Sequence, residues 1–438
     1  MSQFAYEVVI IGGGPAGLAC GIKLVERGIK TLLIERGRFC GAKNLFGGVV
    51  YTHSLKEIVP EFPNLEPSPV ERPVTEEGYF LVSREGVVKL LHTKKNPQEA
   101  FTALRAKFDN FLSEYALKKG LDIAPKTQVK DFIREGERIS GVIVDRPTSF
   151  EDERPAQVKA NIVVIAEGVN RILTQKAGLA KRDFRPEEVV LAVKEIIQLP
   201  KGALEARLGL REGQGLAVEL IGEVTQGLPG TGFLYTNKGH LSFGIGIFLN
   251  QLVKFNLKPY EILEKAKGHP YFKEIFQGGE TLEYGAHLIP EWGLEGLPKL
   301  YGSGVLVTGD SAGFVNPLFR EGTNLAMYSG LMAAETIIYA FERGDFSERT
   351  LKRYEELFKE SFIYKDLKLI KDLKTFLLKN SHLFSDYPQM IYEIMSIYFS
   401  SQGRYKRDVI KEILAIIRKK RGLIGILKDL FSFGRLFW

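Results

Sequence analysis

The sequence predicts an α/β fold with three parts: a domain built on a buried parallel sheet, a second domain of mainly antiparallel β-strands, and a helical C-terminal region. Three observations predict it. A short β-branched run from Val8 to Ile11 leads through a glycine-rich turn into a helical pattern, which is typical of a buried parallel strand followed by a helix. Between about residues 180 and 295 the pattern changes to alternating strands separated by Gly- and Pro-rich loops. The first pattern then returns at residues 304–335.

The first turn has the glycine spacing of a dinucleotide-binding unit. Gly12 permits the tight turn, Gly14 lets the backbone approach a pyrophosphate, and Gly17 lets helix and strand pack closely. The helix that starts at Pro15 and Ala16 offers free N–H groups to phosphates.

A second strand, residues 31–34, leads directly into Glu35 and Arg36. Glu35 is placed to accept a hydrogen bond from a ribose 2′-OH. Strand, turn, helix, second strand and acid fall in register, so the sequence predicts a Rossmann-like unit that binds an adenine dinucleotide. The alternative is a glycine-rich turn that binds nothing.

The loop from Gly37 to Gly48 leaves the same edge of the predicted sheet and is too rich in glycine for a helix or strand. Gly47 and Gly48 could bring backbone N–H groups against a planar ring, and Lys43, which precedes Asn44, could lie over that ring. The alternative is a surface turn with a solvated lysine.

Two later segments return to the nucleotide-binding domain after an excursion rich in proline and charge. Apolar residues at 101, 104, 108, 111 and 112 have helical spacing, and Arg105 among them is either a pyrophosphate contact or a solvated helix residue. Residues 158–166 resemble a buried strand that ends on Glu167 and Gly168, where a cofactor could again be approached.

The pattern at residues 304–335 adds a second nucleotide-facing segment. A strand at 304–308 is closed by Gly309 and Asp310, and Asp310 can hydrogen-bond a ribityl hydroxyl. A long helix of small residues then opens at Gly322, Thr323 and Asn324. Its N-terminus can stabilise negative charge at the pyrimidine end of a reduced flavin. Two such segments favour one extended dinucleotide, so the sequence predicts FAD rather than NAD.

The second domain contains no second strand–GxGxxG–helix unit. A flavoenzyme that takes hydride from its own bound nicotinamide usually needs such a unit, so we expect electrons to enter from a partner. The predicted boundaries are residues 1–75, 99–178 and 296–345 for the FAD-binding domain, 76–98 for an excursion into the second domain, 179–295 for the substrate-binding β domain, and 346–438 for the helical C-terminal region.

Cysteine and histidine content argues against a metal site or a disulfide framework. The chain has two cysteines, and its six histidines are scattered without ligand spacing, so no metal is expected. The N-terminus enters the first strand almost at once, and no apolar run approaches the ~18 residues that span a bilayer. We expect an intracellular protein that is not integral to a membrane.

The formal net charge of +7 is concentrated in the C-terminal tail. Residues 404–438 contain ten Lys or Arg and three Asp or Glu, so they carry the whole excess. A basic amphipathic helix that contains Arg418, Lys419 and Lys420 is followed by an apolar stretch with Phe431, Phe433 and Trp438. This pattern favours an interfacial anchor on anionic lipid. A helix packed on the body or on a partner subunit is the alternative, and nucleic acid is disfavoured because no stacking motif or basic groove accompanies the charge.

With these pieces in place, the chain resembles the glutathione-reductase-type FAD fold and, within it, the FixC/EtfC flavoproteins and the electron transfer flavoprotein:quinone oxidoreductases. The resemblance covers nearly the whole chain. It rests on residues 41–54 (GAKNLFGGVVYTHS), 104–109 (LRAKFD), 193–195 (VKE), 230–235 (GTGFLY), 269–270 (HP), 284–293 (YGAHLIPEWG), 297–300 (LPKL) and 309–314 (GDSAGF).

The resemblance implies an FAD that collects electrons from an electron-transfer flavoprotein, with its α and β subunits, and passes them to a membrane quinone. By position it implies that Gly12, Gly14, Gly17, Glu35, Arg105, Gly309 and Asp310 hold FAD, and that Gly47, Gly48 and Gly322 approach its ring. The quinone headgroup lies near residues 230–235 in this family. Gly230, Phe233 and Tyr235 are therefore the quinone candidates, with ordinary strand packing as the alternative for the two aromatic residues.

The chain departs from the quinone oxidoreductases because it lacks their C-terminal cysteine cluster, which holds a [4Fe–4S] centre. FixC/EtfC proteins share this absence and use a separate ferredoxin-like subunit. Glu167 also replaces the aspartate that is usual in the related DG motif. No catalytic side chain is predicted.

The function expected from the resemblance is delivery of electrons to quinone, such as menaquinone, by a peripheral protein at the cytoplasmic face of the membrane. A geranylgeranyl-reductase-like enzyme that reduces prenyl double bonds of lipids is the first alternative. A flavin-bearing scaffold subunit is the second.

Overall fold

The computed structural model describes residues 5–43, 47–147 and 155–437. The strands are β1 (Val8–Ile11), β2 (Thr31–Ile34), β3 (Gly47–Tyr51), β4 (Arg72–Val82), β5 (Val87–Thr93), β6 (Ala100–Leu104), β7 (Asp122–Ala124), β8 (Val129–Glu135), β9 (Arg138–Pro147), β10 (Pro155–Lys159), β11 (Ile162–Ile165), β12 (Val189–Gln198), β13 (Gly215–Gly222), β14 (Gly230–Thr236), β15 (His240–Phe248), β16 (Glu280–Pro290), β17 (Tyr301–Gly302) and β18 (Val305–Val307).

Helices alternate with the strands in both domains and form most of the C-terminal region. They are α1 (Pro15–Glu26), α2 (Thr52–Ile58), α3 (Arg105–Lys118), α4 (Ile172–Lys176), α5 (Ala203–Leu208), α6 (Leu249–Lys254), α7 (Pro259–Gly268), α8 (Pro270–Phe276), α9 (Thr323–Arg343), α10 (Glu348–Leu351), α11 (Arg353–Glu360), α12 (Phe362–Leu369), α13 (Leu373–Lys379), α14 (His382–Phe399), α15 (Lys406–Lys420) and α16 (Leu423–Gly434).

The first sheet has the strand order β17-β18-β11-β1-β2-β7. Its pairings are parallel apart from the β17–β18 pair. Every residue of β1, β2 and β11 is buried, because α1 packs on β2 and β9, which belongs to a separate three-stranded sheet, packs on β11. The carboxyl ends of the parallel strands therefore open on one edge, where ligands of such folds bind.

The second sheet has the order β16-β12-β15-β14-β13-β4-β6-β3, with β5 paired to β4. Its pairings are antiparallel except for β13 with β4. One face of this sheet packs on a separate apolar core with α7 and α8. The opposite face is turned toward the first domain, which leaves it available to line a site. A third, three-stranded sheet has the order β10-β9-β8.

Helices α1 and α9 pack at backbone distance, which brings their N-terminal ends to the same region of the protein. A Cβ added to Gly330 of α9 would lie 2.2 Å from the carbonyl oxygen of Ala16 in α1. Buried side chains of α10–α13 extend the same core, so the first part of the C-terminal region packs on the first domain.

Three sequence-based predictions of secondary structure are wrong in detail. Gly47 and Gly48, predicted to end a loop, are the first residues of β3, because they pair with β6. Residues 100–104 form β6, and the helix starts at Arg105, because this segment pairs with β3 and β4 before it turns. Residues 158–166 do not form one strand. They divide between β10 and β11, which belong to different sheets.

Candidate functional site

A cavity with a volume of about 960 Å³ lies where the first domain meets the inner face of the second sheet. Its wall combines turns at the ends of β1, β2, β11 and β18, the inner face of β12–β16, and helices of the C-terminal region. Pockets for small molecules and cofactors usually measure ~300–1,000 Å³, so this cavity is at the upper end of that range.

The glycine turn after β1 forms part of the wall through its backbone. Gly12 has φ +109°, and a Cβ on it would lie 2.3 Å from the carbonyl oxygen of Ala166, so only glycine fits there. A Cβ on Gly14 would meet no protein atom within 4 Å, because this residue borders open space. Gly17 has a different role: its Cβ would lie 2.1 Å from the Gly12 oxygen, so it permits close packing of helix on turn.

The N-termini of α1 and α9 both point at the cavity without a side-chain cap or an acidic residue in the first turn. Pro15 is the first residue of α1, and Gly322 precedes α9. Uncapped helix N-termini carry free N–H groups and a partial positive charge. The two ends therefore suit a ligand with negative charge at two separate positions, such as a pyrophosphate and a reduced flavin ring.

Glu35 is fixed at the end of β2 by the backbone. Its Oε2 accepts a hydrogen bond from the N–H of Gly13 at 2.8 Å, and its Oε1 accepts one from the N–H of Gly37. Both bonds hold the carboxylate at the cavity wall, where its remaining lone pairs can accept a ribose hydroxyl.

A second group of polar side chains lines the cavity near the end of β18. Arg105 donates from Nε and Nη2 to the two carboxylate oxygens of Asp109, at 2.9 and 3.0 Å. Burial raises the pKa of Asp310, although the charges of His287 and Arg105 act in the opposite direction. Burial lowers the pKa of His287, although the charge of Asp310 acts in the opposite direction.

The Glu167 carboxylate is occupied by helix α4. It accepts hydrogen bonds from the N–H groups of Leu173 and Thr174 at 2.9 and 2.7 Å, and from the Thr174 hydroxyl. Glu167 still lines the cavity, as does Gly168. A cofactor contact of Glu167 stays a prediction, because the same oxygens already stabilise the start of the helix.

Most of the residues predicted to bind the cofactor are brought to this one cavity. They are Gly12, Gly14, Pro15, Ala16, Glu35, Arg36, Lys43, Gly48, Arg105, Glu167, Gly168, Gly309, Asp310, Gly322 and Thr323. Asn324 is buried within α9 and is not part of this lining. Gly47 pairs with Leu104 in the sheet, and Asn44 lies outside the described residues.

The inner face of the second sheet forms a flat floor, because its central strands carry small residues. Ala192 and Gly246 are register partners on β12 and β15, and both line the cavity. Beside them Phe233 and Tyr235 of β14 stack with ring centroids 5.0 Å apart. These two predicted quinone residues and Gly230 all line the cavity, so the structure places them beside the predicted cofactor residues.

Next to the aromatic pair lies a charged group that the sequence reasoning missed. Glu219 of β13 is the register partner of Phe233, and its Oε1 lies 3.2 Å from Nε of Arg320. Burial raises the pKa of Glu219 to about 7, against the effect of Arg320. A lone acid in the otherwise apolar strand 215–222 was the signal available in the sequence.

Four apolar side chains of the C-terminal helices line the cavity: Leu373 and Leu377 of α13, Phe384 of α14 and Phe433 of α16. Phe433 is also 44% exposed, so the cavity reaches the protein surface at this residue, and we call this apolar part of the wall the mouth. Outside it, α16 exposes apolar side chains to solvent: Leu423, Ile424, Leu427, Leu430 and Phe431.

Helix α16 is held in place by Asp429, which is buried. Asp429 accepts hydrogen bonds from Nε of Arg421 at 2.6 Å and from the hydroxyl of Tyr387 at 2.7 Å. The bond from Arg421 lowers the pKa of Asp429 to about 2. The exposed apolar face is therefore presented by a fixed helix.

Of the predicted membrane residues, Arg418, Lys419 and Phe431 are exposed. Lys420 is half-buried, with its Nζ 3.4 Å from Oε1 of Glu393, so its charge is already paired within the protein. Phe433 is partly exposed and lines the mouth, while Trp438 lies outside the described residues.

Membrane-spanning helices and metal-binding clusters are both absent from the part of the chain that the structure describes. No helix there is both long and apolar enough to cross a bilayer. No group of three or more His, Cys, Asp or Glu side chains there has the arrangement of a metal site.

Two family models match the chain. One describes an FAD binding domain and matches residues 5–195. The other describes the C-terminal domain of the ETF-QO/FixC family and matches residues 373–438.

Curated relatives match over almost the full length. Protein FixC of Azorhizobium caulinodans is 36% identical over 437 residues, which cover 98% of each chain. The probable electron transfer flavoprotein-quinone oxidoreductase YdiS of Escherichia coli K12 is 34% identical over 435 residues, again with 98% of each chain covered.

Solved structures with the same fold have lower sequence identity. A geranylgeranyl bacteriochlorophyll reductase-like protein from Thermoplasma acidophilum has a TM-score of 0.74 at 20% identity, with 98% of each chain covered. The flavin-dependent brominase Bmp2 has a TM-score of 0.64 at 19% identity and covers 98% of this chain and 99% of its own. These likenesses show the fold and confirm the α/β FAD-binding architecture with a helical C-terminal region.

Proposed function

Because the chain belongs to the FixC family of FAD-dependent oxidoreductases, which is related to the electron transfer flavoprotein-quinone oxidoreductases, we propose that it passes electrons from an electron-transfer flavoprotein to a membrane quinone. FAD is the cofactor of the family. The acceptor, the donor and the membrane location are parts of the proposal.

The residues at the cavity wall fit FAD. Gly14 leaves open space where a pyrophosphate can approach the N-terminus of α1, and Glu35 presents a fixed carboxylate for the ribose. The N-terminus of α9 at Gly322 is uncapped and suits negative charge on the ring. When bound, FAD supplies two-electron redox chemistry, and the protein positions it, excludes water and holds protons.

The observation that carries the proposal is the continuity of the cavity from the glycine turn to the apolar mouth. One lining includes Gly14, the floor at Gly246, and Phe433 at the mouth. An acceptor with a flat head and an apolar tail suits such a cavity, because the head can lie on the floor while the tail leaves between apolar helices.

The exposed face of α16 supports entry of the acceptor from lipid. Several large apolar side chains on one short helix exceed what a solvent-facing helix usually carries. Arg418 and Lys419 are exposed near the end of α15, and each basic residue near an anionic surface contributes ~1 kcal/mol. In this proposal the chain is a peripheral protein on the cytoplasmic face of the membrane.

Electrons enter from a partner in this proposal. An electron-transfer flavoprotein is the donor, in line with the name of the YdiS relative, and a ferredoxin-like subunit with a [4Fe–4S] cluster assists it. This multi-subunit arrangement is supported by the chain's two cysteines, both buried, which are too few for such a cluster.

The test is reoxidation of the reduced flavin under anaerobic conditions. Holoprotein reduced with dithionite, freed of excess reductant, is mixed in a stopped-flow instrument with a short-tailed menaquinone or with a geranylgeranyl lipid. We expect rapid reoxidation by the quinone alone. Reoxidation by the unsaturated lipid alone would overturn the proposal in favour of a prenyl reductase. Reoxidation by neither, with complex formation unchanged after flavin removal, would favour the scaffold alternative.

A further inference from the structure

Glu219 lies on the inner face of the second sheet and lines the part of the cavity next to Phe233 and Tyr235, which we call the acceptor half. Residues alternate across β13, so that Val218 and Leu220 enter the apolar core while Glu219 and Ile221 line the cavity. Phe233 lies directly opposite Glu219 on the neighbouring strand. The carboxyl thus borders the place where a flat acceptor would rest.

Arg320 reaches Glu219 from the loop that leads into α9. Its backbone has φ +60°, an uncommon conformation for a residue with a side chain, and the loop is closed by hydrogen bonds between Asn316 and Glu321 at 2.8 and 3.0 Å. Gly322, at the uncapped N-terminus of α9, follows two residues later. The same loop therefore connects the flavin-side helix with the carboxyl on the opposite wall.

Several other ionisable groups face this pair from the neighbouring strands. Tyr79 is the register partner of Glu219 on β4, and Glu77 lies 3.9 Å from Nη2 of Arg320 and 3.0 Å from Nζ of Lys94. Further ionisable groups of this region are Tyr51, Lys94, Lys194, Tyr235 and Glu321.

The tyrosines of this set do not titrate near neutral pH. Burial raises the pKa of Tyr235 and Tyr51, the latter to about 12. Glu77 forms an ion pair with Lys94 at 3.0 Å. Burial lowers the pKa of Lys194 to about 7, but two strands separate this residue from β13, and it is not part of the cavity lining. Glu219 is accordingly an acid of the cavity lining that can hold a proton at neutral pH and that lies opposite Phe233. Burial also raises the pKa of Glu321, next to Arg320, and that of Glu291 to about 8, but Glu291 follows β16, four strands away from β13 in the sheet order.

We propose that Glu219 delivers a proton to the quinone oxygen during its reduction, with Arg320 as the positioning residue. The assignment rests on the proposed function, because it needs a quinone in the acceptor half. It names a catalytic side chain for a site in which the sequence indicated none.

The proton and electron balance requires such a donor. Conversion of a quinone to a quinol takes two electrons and two protons, and reduced FAD supplies two electrons and one proton. The remaining proton comes from Glu219: its O–H bond breaks and an O–H bond forms on the quinone oxygen. The carboxylate that remains is stabilised by Arg320 at 3.2 Å.

Return of the proton from solvent has a short path on this side of the sheet. Tyr79, the register partner of Glu219, is 40% exposed, so solvent reaches the strand next to Glu219. Because Glu219 must be protonated to act, quinone reduction should be fast below a pH of about 7 and should slow as the pH rises through that value.

The first experiment compares Glu219→Gln with wild-type holoprotein in single-turnover reoxidation from pH 5.5 to 9. With a short-tailed menaquinone we expect wild-type rates to fall above pH 7. The variant should be about a hundredfold slower at pH 6 and independent of pH, since positioned acids contribute ~10²–10⁴-fold. With ferricenium, an acceptor that takes electrons without protons, the two proteins should react equally fast.

Glu223→Gln is the matched control, because this acid follows the same strand, pairs only weakly with exposed Arg84 at 3.8 Å and is not part of the cavity lining. It should keep the wild-type rate and pH profile. Arg320→Gln removes a charge that lowers the pKa of Glu219, so the pH above which quinone reduction slows should be higher in this variant than in wild type. Arg320→Lys keeps the charge and should bring that pH part of the way back to the wild-type value.

Infrared spectroscopy provides a readout that does not depend on turnover. The oxidised wild-type holoprotein should show a carboxylic acid C=O band that disappears with a midpoint near pH 7 and is missing from Glu219→Gln, whereas a band of Glu291, whose pKa burial raises to about 8, should be common to both. Equal quinone rates and pH profiles in wild type and Glu219→Gln, or identical C=O titrations of the two proteins, would overturn the assignment alone. Failure of quinone to reoxidise wild type, with ferricenium still effective, would overturn the proposed function and the assignment with it.

Discussion

The two walls of the cavity are built from different parts of the chain. The cofactor wall is mostly backbone: the turn at Gly12 and Gly14 and the N-termini of two helices that touch at Gly330. The acceptor wall is made of side chains that separate strands and a loop bring together, among them Glu219 and Arg320. Backbone N–H groups do not titrate, whereas the carboxyl does. The first wall should therefore respond to added volume and the second to pH and to single side-chain changes.

The largest effect is expected from Gly14→Val on the cofactor wall. Gly14 has φ −88° and ψ −179°, which valine adopts without strain, and its Cβ would meet no protein atom within 4 Å. The added side chain instead occupies space next to the helix N-terminus where the pyrophosphate is expected. Affinity for FAD should fall by about a hundredfold or more, a loss of ~2.7 kcal/mol, while the apoprotein keeps its melting temperature. Flavin titration by fluorescence and thermal unfolding of the apoprotein measure the two effects.

Two further glycine variants serve as controls, one expected to have no effect and one expected to disturb packing. Gly268→Val, at the end of α7 with no atom within 4 Å, should change neither quantity. Gly330→Val should lower both, because its Cβ would lie 2.2 Å from the Ala16 oxygen and would separate α9 from α1. An apoprotein of Gly14→Val that melts as early as that of Gly330→Val would contradict the separation of cofactor binding from packing.

The floor of the acceptor wall is tested by Gly246→Val. The new side chain would stand above the floor, with its Cβ 3.0 Å from Cγ1 of Val190 and 3.9 Å from Cβ of Ala192, so Val190 must yield slightly. Reoxidation of reduced flavin by quinone should slow by about tenfold or more because the flat surface is lost. FAD affinity and reoxidation by ferricenium should stay unchanged. A parallel loss of FAD would show that the two walls do not act independently.

Changes on the exposed face of α16, next to the mouth, should have the smallest effect on the rate of flavin reoxidation. Their main effect should be on binding to the membrane. Leu427→Glu combined with Phe431→Glu places two charges on the exposed face of α16, where the side chains are 65% and 69% exposed. Binding to anionic vesicles should weaken by about tenfold or more, since each apolar side chain that leaves the membrane interface costs ~1.5–3 kcal/mol. Reoxidation by a water-soluble quinone should remain close to wild type.

The matched control carries the same number of apolar-to-acid changes on the second domain. Val253→Glu with Phe255→Glu alters residues that are 67% and 50% exposed and distant in sequence from the tail. This variant should bind vesicles as wild type does. Equal vesicle binding by both double variants would argue that α16 faces a partner subunit rather than lipid.

The sequence by itself determined the parts of this protein in which function follows from local backbone chemistry. A strand, a turn with Gly12, Gly14 and Gly17, and an acid at Glu35 are contiguous or nearly so, and their spacing is sufficient to predict an adenine dinucleotide. The second segment, at Gly309 and Gly322, made FAD the predicted cofactor, and the family comparison confirms FAD. The FixC relationship was likewise readable from motifs and is confirmed. The pattern at Gly309 and Gly322 could be joined to the first turn because both have the same strand–turn–helix form.

Only the tertiary structure decided what stands opposite the cofactor. Glu219 and Arg320 are about a hundred residues apart, and no local pattern relates an acid in an apolar strand to an arginine in a later loop. Sheet register places Glu219 beside Phe233, and the left-handed backbone of Arg320 directs its side chain to the carboxyl. The division of residues 158–166 between two sheets has the same cause, since strand pairing depends on distant partners. Burial between these elements, rather than the sequence near Glu219, raises its pKa into the range in which it can donate a proton.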